Sequence, residues 1–158
     1  MMITCMIYKI NENINHSGLG RAAISKNLKK MGIEEKLSLT SQGKPYLPSN
    51  IKYVSSSHSG KYLIVAIGDQ PVGIDIEKVR ELHPGTIARL SLKEQPFEQW
   101  TLREAMIKLK GDPNAMFEEV FFDEENMRRI DIEPGYVCVI VSDRKIEELI
   151  IEKGGYYE

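Results

Sequence analysis

The chain has 158 residues, of which 42% are hydrophobic and 28% charged, and a formal net charge of -2. A chain of this length can bury a core without disulfide staples, and this composition excludes a disordered polymer. The near-balanced charge argues against a nucleic-acid binder, although Lys26, Lys29 and Lys30 form one local basic stretch.

The opening MMITCMIYKI is rich in β-branched residues and predicts a strand from roughly Ile3 to Lys9. It is too short to cross a bilayer and has neither a basic leader nor a small-residue cleavage site, so no membrane association is expected. Gly20 to Met31 carries apolar residues at helical spacing, and Gly32 closes that helix. SQGKPYLPSN reads as an ordered loop because Pro45 and Pro48 exclude regular helix, leaving Tyr46 and Leu47 to pack. A short strand around Tyr53, the polar run SSSHSGK, the apolar strand Leu63 to Ile67, a turn at GDQP and the strand VGIDIE follow, the last two strands being expected to pair as a hairpin. Helical patterning returns loosely over Thr86 to Leu92 and strongly over Thr101 to Lys110, where GDP stops it. Strands are expected again at MFEEVFF, YVCVIVSD and KIEELIIE, with a turn at Pro134-Gly135. Strand, helix and strands thus occur once in each half, an α+β pattern. Cys5 and Cys138, each among apolar residues, fit buried thiols in a reducing, cytoplasmic compartment better than a disulfide or zinc site.

Three stretches carry residues capable of chemistry. In VGIDIE, strand alternation puts Asp75 and Glu77 on one face and Ile74 and Ile76 on the other. Two neighbouring carboxylates suit a hard divalent cation; a solvent-facing acidic edge strand is the alternative. In WTLREAMIKLKG, Glu104 and Lys108 share a helix face, which equally describes a Thr101-Glu104 capping box with a surface ion pair. In SSSHSGK, the absence of a G-x-S-x-G elbow argues against a serine hydrolase, and serines before a strand usually serve turns. An imidazole among hydroxyls nevertheless suits a phosphate group, as does Lys44 in its GKP turn.

GKPYL, SSSHS, GIDIE and WTLREAMIK occur in that order, and together they resemble the 4′-phosphopantetheinyl transferase superfamily in its surfactin-synthetase-activating branch, over approximately Gly43 to Lys110. The G-[IV]-D-x-E element followed by W-[ST]-x-[KR]-E-[AS]-x-x-K is specific as a pair. The resemblance implies two similar α+β halves, a pseudo-dimer in which each half is a small, mostly antiparallel sheet packed with helix, divided here as residues 1–70 and 71–158. It implies transfer of the phosphopantetheine arm of coenzyme A to a serine of an acyl or peptidyl carrier protein, with Mg²⁺ and release of adenosine 3′,5′-bisphosphate. On that basis Asp75, Glu77 and Glu104 are the expected metal ligands, and Glu104, Lys108 and Asp75 the catalytic set, with Glu104 accepting the serine proton. Lys44, Ser57, His58 and Ser59 are the expected coenzyme A contacts, with Lys61 a weaker one. The chain looks like a shortened member, in which IARLSLKEQPFEQ, including Glu94, replaces a longer helical region, and it is expected as a monomer or a homodimer.

Overall fold

The computed structural model describes residues 1–13, 16, 18–80, 84–89, 96–111 and 123–157. Its first sheet runs in the order β4-β5-β1-β9, built from β1 (Met2–Lys9), β4 (Tyr53–Ser59), β5 (Tyr62–Gly68) and β9 (Glu148–Tyr156). All its pairings are antiparallel except β1 with β9, which is parallel. The second sheet runs β6-β8-β7, from β6 (Val72–Lys78), β7 (Met127–Arg129) and β8 (Tyr136–Ser142), and is wholly antiparallel. A two-residue pairing of β2 (Ser38–Leu39) with β3 (Pro45–Tyr46) sits within the expected loop. Helices α1 (Leu19–Lys30), α2 (Pro84–Arg89) and α3 (Pro96–Lys110) complete an α+β architecture.

The alternation of β1, β5, β6 and β8 explains the layering. Ile3, Cys5, Ile7, Ile64 and Ala66 of the first sheet meet Val72, Ile74, Ile76, Cys138 and Ile140 of the second in one buried core between the sheets. Tyr8, Leu63, Val65 and Ile67 point the other way, onto Ala23, Ile24 and Leu28 of α1. Val139 and Val141 likewise meet Ala105 of α3. The order is therefore helix, sheet, sheet, helix, and β5, covered on both faces, is apolar throughout. Helix α1 ends as expected: Gly32 takes φ 79°, and Ile33 N–H donates to Leu28 O at 2.9 Å.

Two expectations fail. Leu63–Ile67 and VGIDIE do not form a hairpin, because their apolar faces oppose each other across the inter-sheet core: β5 pairs with β1 and β4, and β6 pairs with β8. The run SSSHS is strand β4 itself, not turn chemistry, and it forms the hairpin with β5. The expected strand MFEEVFF, and Glu94 with the rest of residues 90–95, lie outside the described residues.

Candidate functional site

Helix α3 lies unusually close to β6, and a glycine makes this possible. A Cβ built on Gly73 would stand 2.1 Å from Ala105 O and 2.6 Å from Leu109 N, so only a residue without a side chain fits under the helix. Gly73, Asp75 and Glu77 share the helix-facing side of β6, and Glu104 and Lys108 flank Ala105 on α3. Helix α3 starts at Pro96, earlier than the pattern suggests, so Thr101 is an interior residue. Its hydroxyl donates to Phe97 O at 2.9 Å, which excludes the capping box.

Asp75 is only 3% exposed, which excludes an acidic edge facing solvent. Its Oδ1 accepts from Lys108 Nζ at 2.9 Å and from Ser57 Oγ at 3.1 Å. Its Oδ2 is buried and accepts no hydrogen bond from any described residue. Burial holds the Asp75 carboxyl well above the usual carboxylate range; Lys108 pulls it back, and the neighbouring Glu77 pushes it up again. Burial also raises Glu104, with Lys108 and Arg80 opposing and Glu77 reinforcing. Glu77 itself pairs with Arg80 at 3.1 Å. Asp75 and Glu104 therefore each feel the charges of Glu77 and Lys108. Among the described residues, no three histidine, cysteine, aspartate or glutamate side chains are gathered closely enough to enclose an ion as they stand.

A cleft of about 570 Å³ opens beside this cluster, with Ser57, His58, Asp75 and Lys108 on one side and His16 and Arg21 on the other. A second chamber of about 300 Å³, lined by Lys44, Ser55, Ile107 and Lys108 among others, shares Gly43, Pro45, Ser56 and Lys108 with it. His58 stacks obliquely on His16 at 5.2 Å; burial, then His16 and Lys108, lower its pKa against the pull of Glu77, which favours the neutral imidazole. Lys44 donates to Leu109 O at 3.0 Å, near the C-terminal end of α3, and burial lowers its pKa. Two expected contacts lie elsewhere. Ser59 Oγ accepts from Lys78 N–H at 2.9 Å, and Lys61 pairs with Glu133 at 2.9 Å. Arg21, His16 and Arg80 escaped the sequence reading, since only the fold brings an arginine of α1 beside β4.

No protein-family model matches the chain. It is nevertheless similar to transferases. A 4′-phosphopantetheinyl transferase of Bacillus subtilis is 39% identical over 113 residues, 60% of this chain and 44% of the relative. The 4′-phosphopantetheinyl transferase gsp of Aneurinibacillus migulanus is 34% identical over 84 residues, 44% of this chain and 35% of the relative. The 4′-phosphopantetheinyl transferase Sfp of Bacillus subtilis (strain 168) is 28% identical over 127 residues, 68% of this chain and 57% of the relative. The chain is thus similar to 4′-phosphopantetheinyl transferases of the Sfp-like type, and it spans between 35% and 57% of the length of these curated relatives.

Proposed function

We propose that the chain transfers the 4′-phosphopantetheine arm of coenzyme A to a serine of an acyl or peptidyl carrier protein, releasing adenosine 3′,5′-bisphosphate. The observation that carries this reading is the Asp75–Lys108 pair in the wall of a cleft also lined with His58, His16 and Arg21, with Glu77 acting electrostatically on Asp75 and Glu104. Such a transfer needs positioning and charge neutralisation more than a protein nucleophile. The donor set fits Mg²⁺, which takes oxygen ligands and keeps waters and substrate phosphates in its shell: Asp75 offers a buried, unpartnered Oδ2, and Glu77 and Glu104 are oxygen donors of the same charge. When bound, the ion would neutralise phosphate charge. Lys108 and the cleft's basic groups hold phosphate oxygens, and Glu104, raised by burial, takes the carrier serine's proton.

The identical order of equivalent strands supports a pseudo-dimer: β4-β5-β1 with α1 in residues 1–70 corresponds to β7-β8-β6 with α3 in residues 71–158, while β9, at the end of the second segment, crosses back to pair with β1 of the first sheet. No helix of the described chain is long and apolar enough to cross a membrane. With two free buried cysteines, a cytoplasmic monomer or homodimer is the setting proposed. A second reading, a relative that binds coenzyme A or a carrier without transfer, is favoured by one observation: an ammonium group already occupies Asp75 Oδ1.

Intact-mass spectrometry of an apo carrier incubated with this chain, coenzyme A and Mg²⁺ tests the proposal. A gain of one phosphopantetheine, abolished by EDTA and by Asp75→Ala, is the expected result. Retained coenzyme A binding with no gain on any carrier tried would favour the second reading.

A further inference from the structure

The alternate serines of β4 do something that their cleft-side neighbours do not. Ser55, Ser57 and Ser59 pair across the hairpin with Ala66, Ile64 and Tyr62, so they share the face that looks into the inter-sheet core. At that position they meet the free edge of β6, and their hydroxyl oxygens accept from Ile74 N–H at 3.2 Å, Ile76 N–H at 3.1 Å and Lys78 N–H at 2.9 Å. The constant offset of 19 residues makes this a ladder in which side-chain oxygens stand where a neighbouring strand's carbonyls would be. Ser56 and His58 point to the opposite face, toward α1 and His16, while Ser57, at the seam, also borders the cleft.

Ser57 differs from its two partners in the ladder. Having accepted from Ile76 N–H, its own proton is aimed at Asp75 Oδ1. Both side chains are more than nine-tenths buried, with Ser57 at 6% exposure and Asp75 at 3%. A hydroxyl fixed by a backbone donor on one side can donate in only a few directions, so it sets the rotation of the carboxylate it reaches. Lys108 takes the same oxygen, which leaves Oδ2 as the free atom.

We propose that Ser57 is a positioning residue, which holds the Asp75 carboxylate with Oδ1 turned to Lys108 and Oδ2 left for a divalent cation, and is not a direct ligand of substrate phosphate. This rests on the proposed function, because it assigns Oδ2 to the metal. It also divides the labour of SSSHS: the inward serines join the two sheets, and the middle one of the three also orients the acid.

The test uses Ser57→Ala, Ser57→Thr and Ser55→Ala in the full chain, with Mg²⁺ titrated calorimetrically in the absence of coenzyme A, followed by kcat and the KM for coenzyme A. Ser55→Ala removes a rung of the ladder without touching Asp75, and so reports the seam alone. Loss of an outer partner of a metal ligand typically weakens metal binding by about 10-fold or more. Ser57→Ala is expected to show that loss and a lower kcat with the coenzyme A KM within about twofold, Ser57→Thr to restore most of it, and Ser55→Ala to lower only the thermal midpoint. If Ser57→Ala does not fold, Ser57→Cys, of similar volume and a weak donor, replaces it. Equal Mg²⁺ affinity in the Ser57→Ala and Ser55→Ala chains, or a defect confined to the coenzyme A KM, overturns the inference while leaving the transferase reading intact. Failure of the wild-type chain to bind Mg²⁺ both without and with coenzyme A overturns both.

Discussion

Lys108 Nζ stands 2.9 Å from Asp75 Oδ1, joining α3 to β6 through a pair in which the lysine side chain is 30% exposed and the carboxylate 5%. Removing one partner of a largely buried pair leaves the other charge uncompensated, whereas removing both is far milder. Lys108→Met is therefore expected to cost about 1–3 kcal/mol at pH 8, with the exposed lysine end holding the figure to the lower part of the range for buried pairs. The Asp75→Asn, Lys108→Met chain should recover much of that loss. A double-mutant cycle by urea unfolding measures the coupling, and additivity within about 0.3 kcal/mol would show that the pair contributes nothing to stability.

The approach of α3 to β6 depends on Gly73. Its Cβ in Gly73→Ala would collide with backbone atoms, Ala105 O at 2.1 Å and Leu109 N at 2.6 Å, which have no rotamer to escape into. Helix α3 must move as a body, at a cost of about 1–3 kcal/mol or more. That shift should also lengthen the Lys108–Asp75 contact, so the proposed transfer activity is expected to fall further than the loss of folded protein explains. A thermal midpoint within a degree of wild type, with full activity, would mean that the helix is not seated on this glycine.

Much of the site was legible because its spacing is local. Asp75 with Glu77, and Glu104 with Lys108, are short-range patterns on one strand and one helix, and β6 and α3 bring the two pairs together. The serine ladder was not legible, since a run of serines has the composition of a turn; backbone pairing with β5 makes it a strand, and only the edge of β6, 19 residues later, turns its hydroxyls into a ladder. The false hairpin has the same origin. Two apolar strands separated by a short turn pair by default, unless each already has a partner from elsewhere in the chain, as β5 has in β1 and β6 has in β8. Lys44 read as a phosphate contact, and in the structure its ammonium donates to Leu109 O, a bond no local pattern announces.

Lys52 and Asp69 tie the strand ends of β4 and β5, and Asp69 also accepts from Met2 N–H. The hydrogen bond from Lys52 holds the Asp69 carboxyl below its ordinary range, with the Met2 amide adding to it against a desolvation that opposes it. A depressed folded-state pKa contributes stability above the unfolded value of 3.8, and that contribution is lost as pH falls through the lower folded value. Asp69→Asn should therefore be less stable than wild type at pH 6, by no more than about 0.5–1 kcal/mol because both groups are partly solvated. The gap should narrow below pH 4. Urea unfolding at pH 6 and pH 3 decides it, and a gap that stays constant between them would assign the effect to something other than the carboxylate charge.

Cys5 of β1 and Cys138 of β8 belong to the one core between the sheets, and both thiols are free. Burial pushes Cys5 up to about 12 and raises Cys138 as well. Only the thiolate attacks an alkylating reagent, and at pH 8 a thiol of that pKa is ionised to roughly one part in ten thousand, quite apart from lacking access. Iodoacetamide at pH 8 should leave the folded chain unmodified for hours and add two carbamidomethyl groups in denaturant. Where slow labelling occurs under native conditions, its rate should follow the opening of the inter-sheet core, so Gly73→Ala should accelerate Cys5 and Cys138 together. Rapid labelling of both thiols in the wild-type chain would instead show that the two sheets part readily, and the serine ladder would then be a joint that opens rather than one that holds; rapid labelling of Cys138 alone would point to local opening of β8.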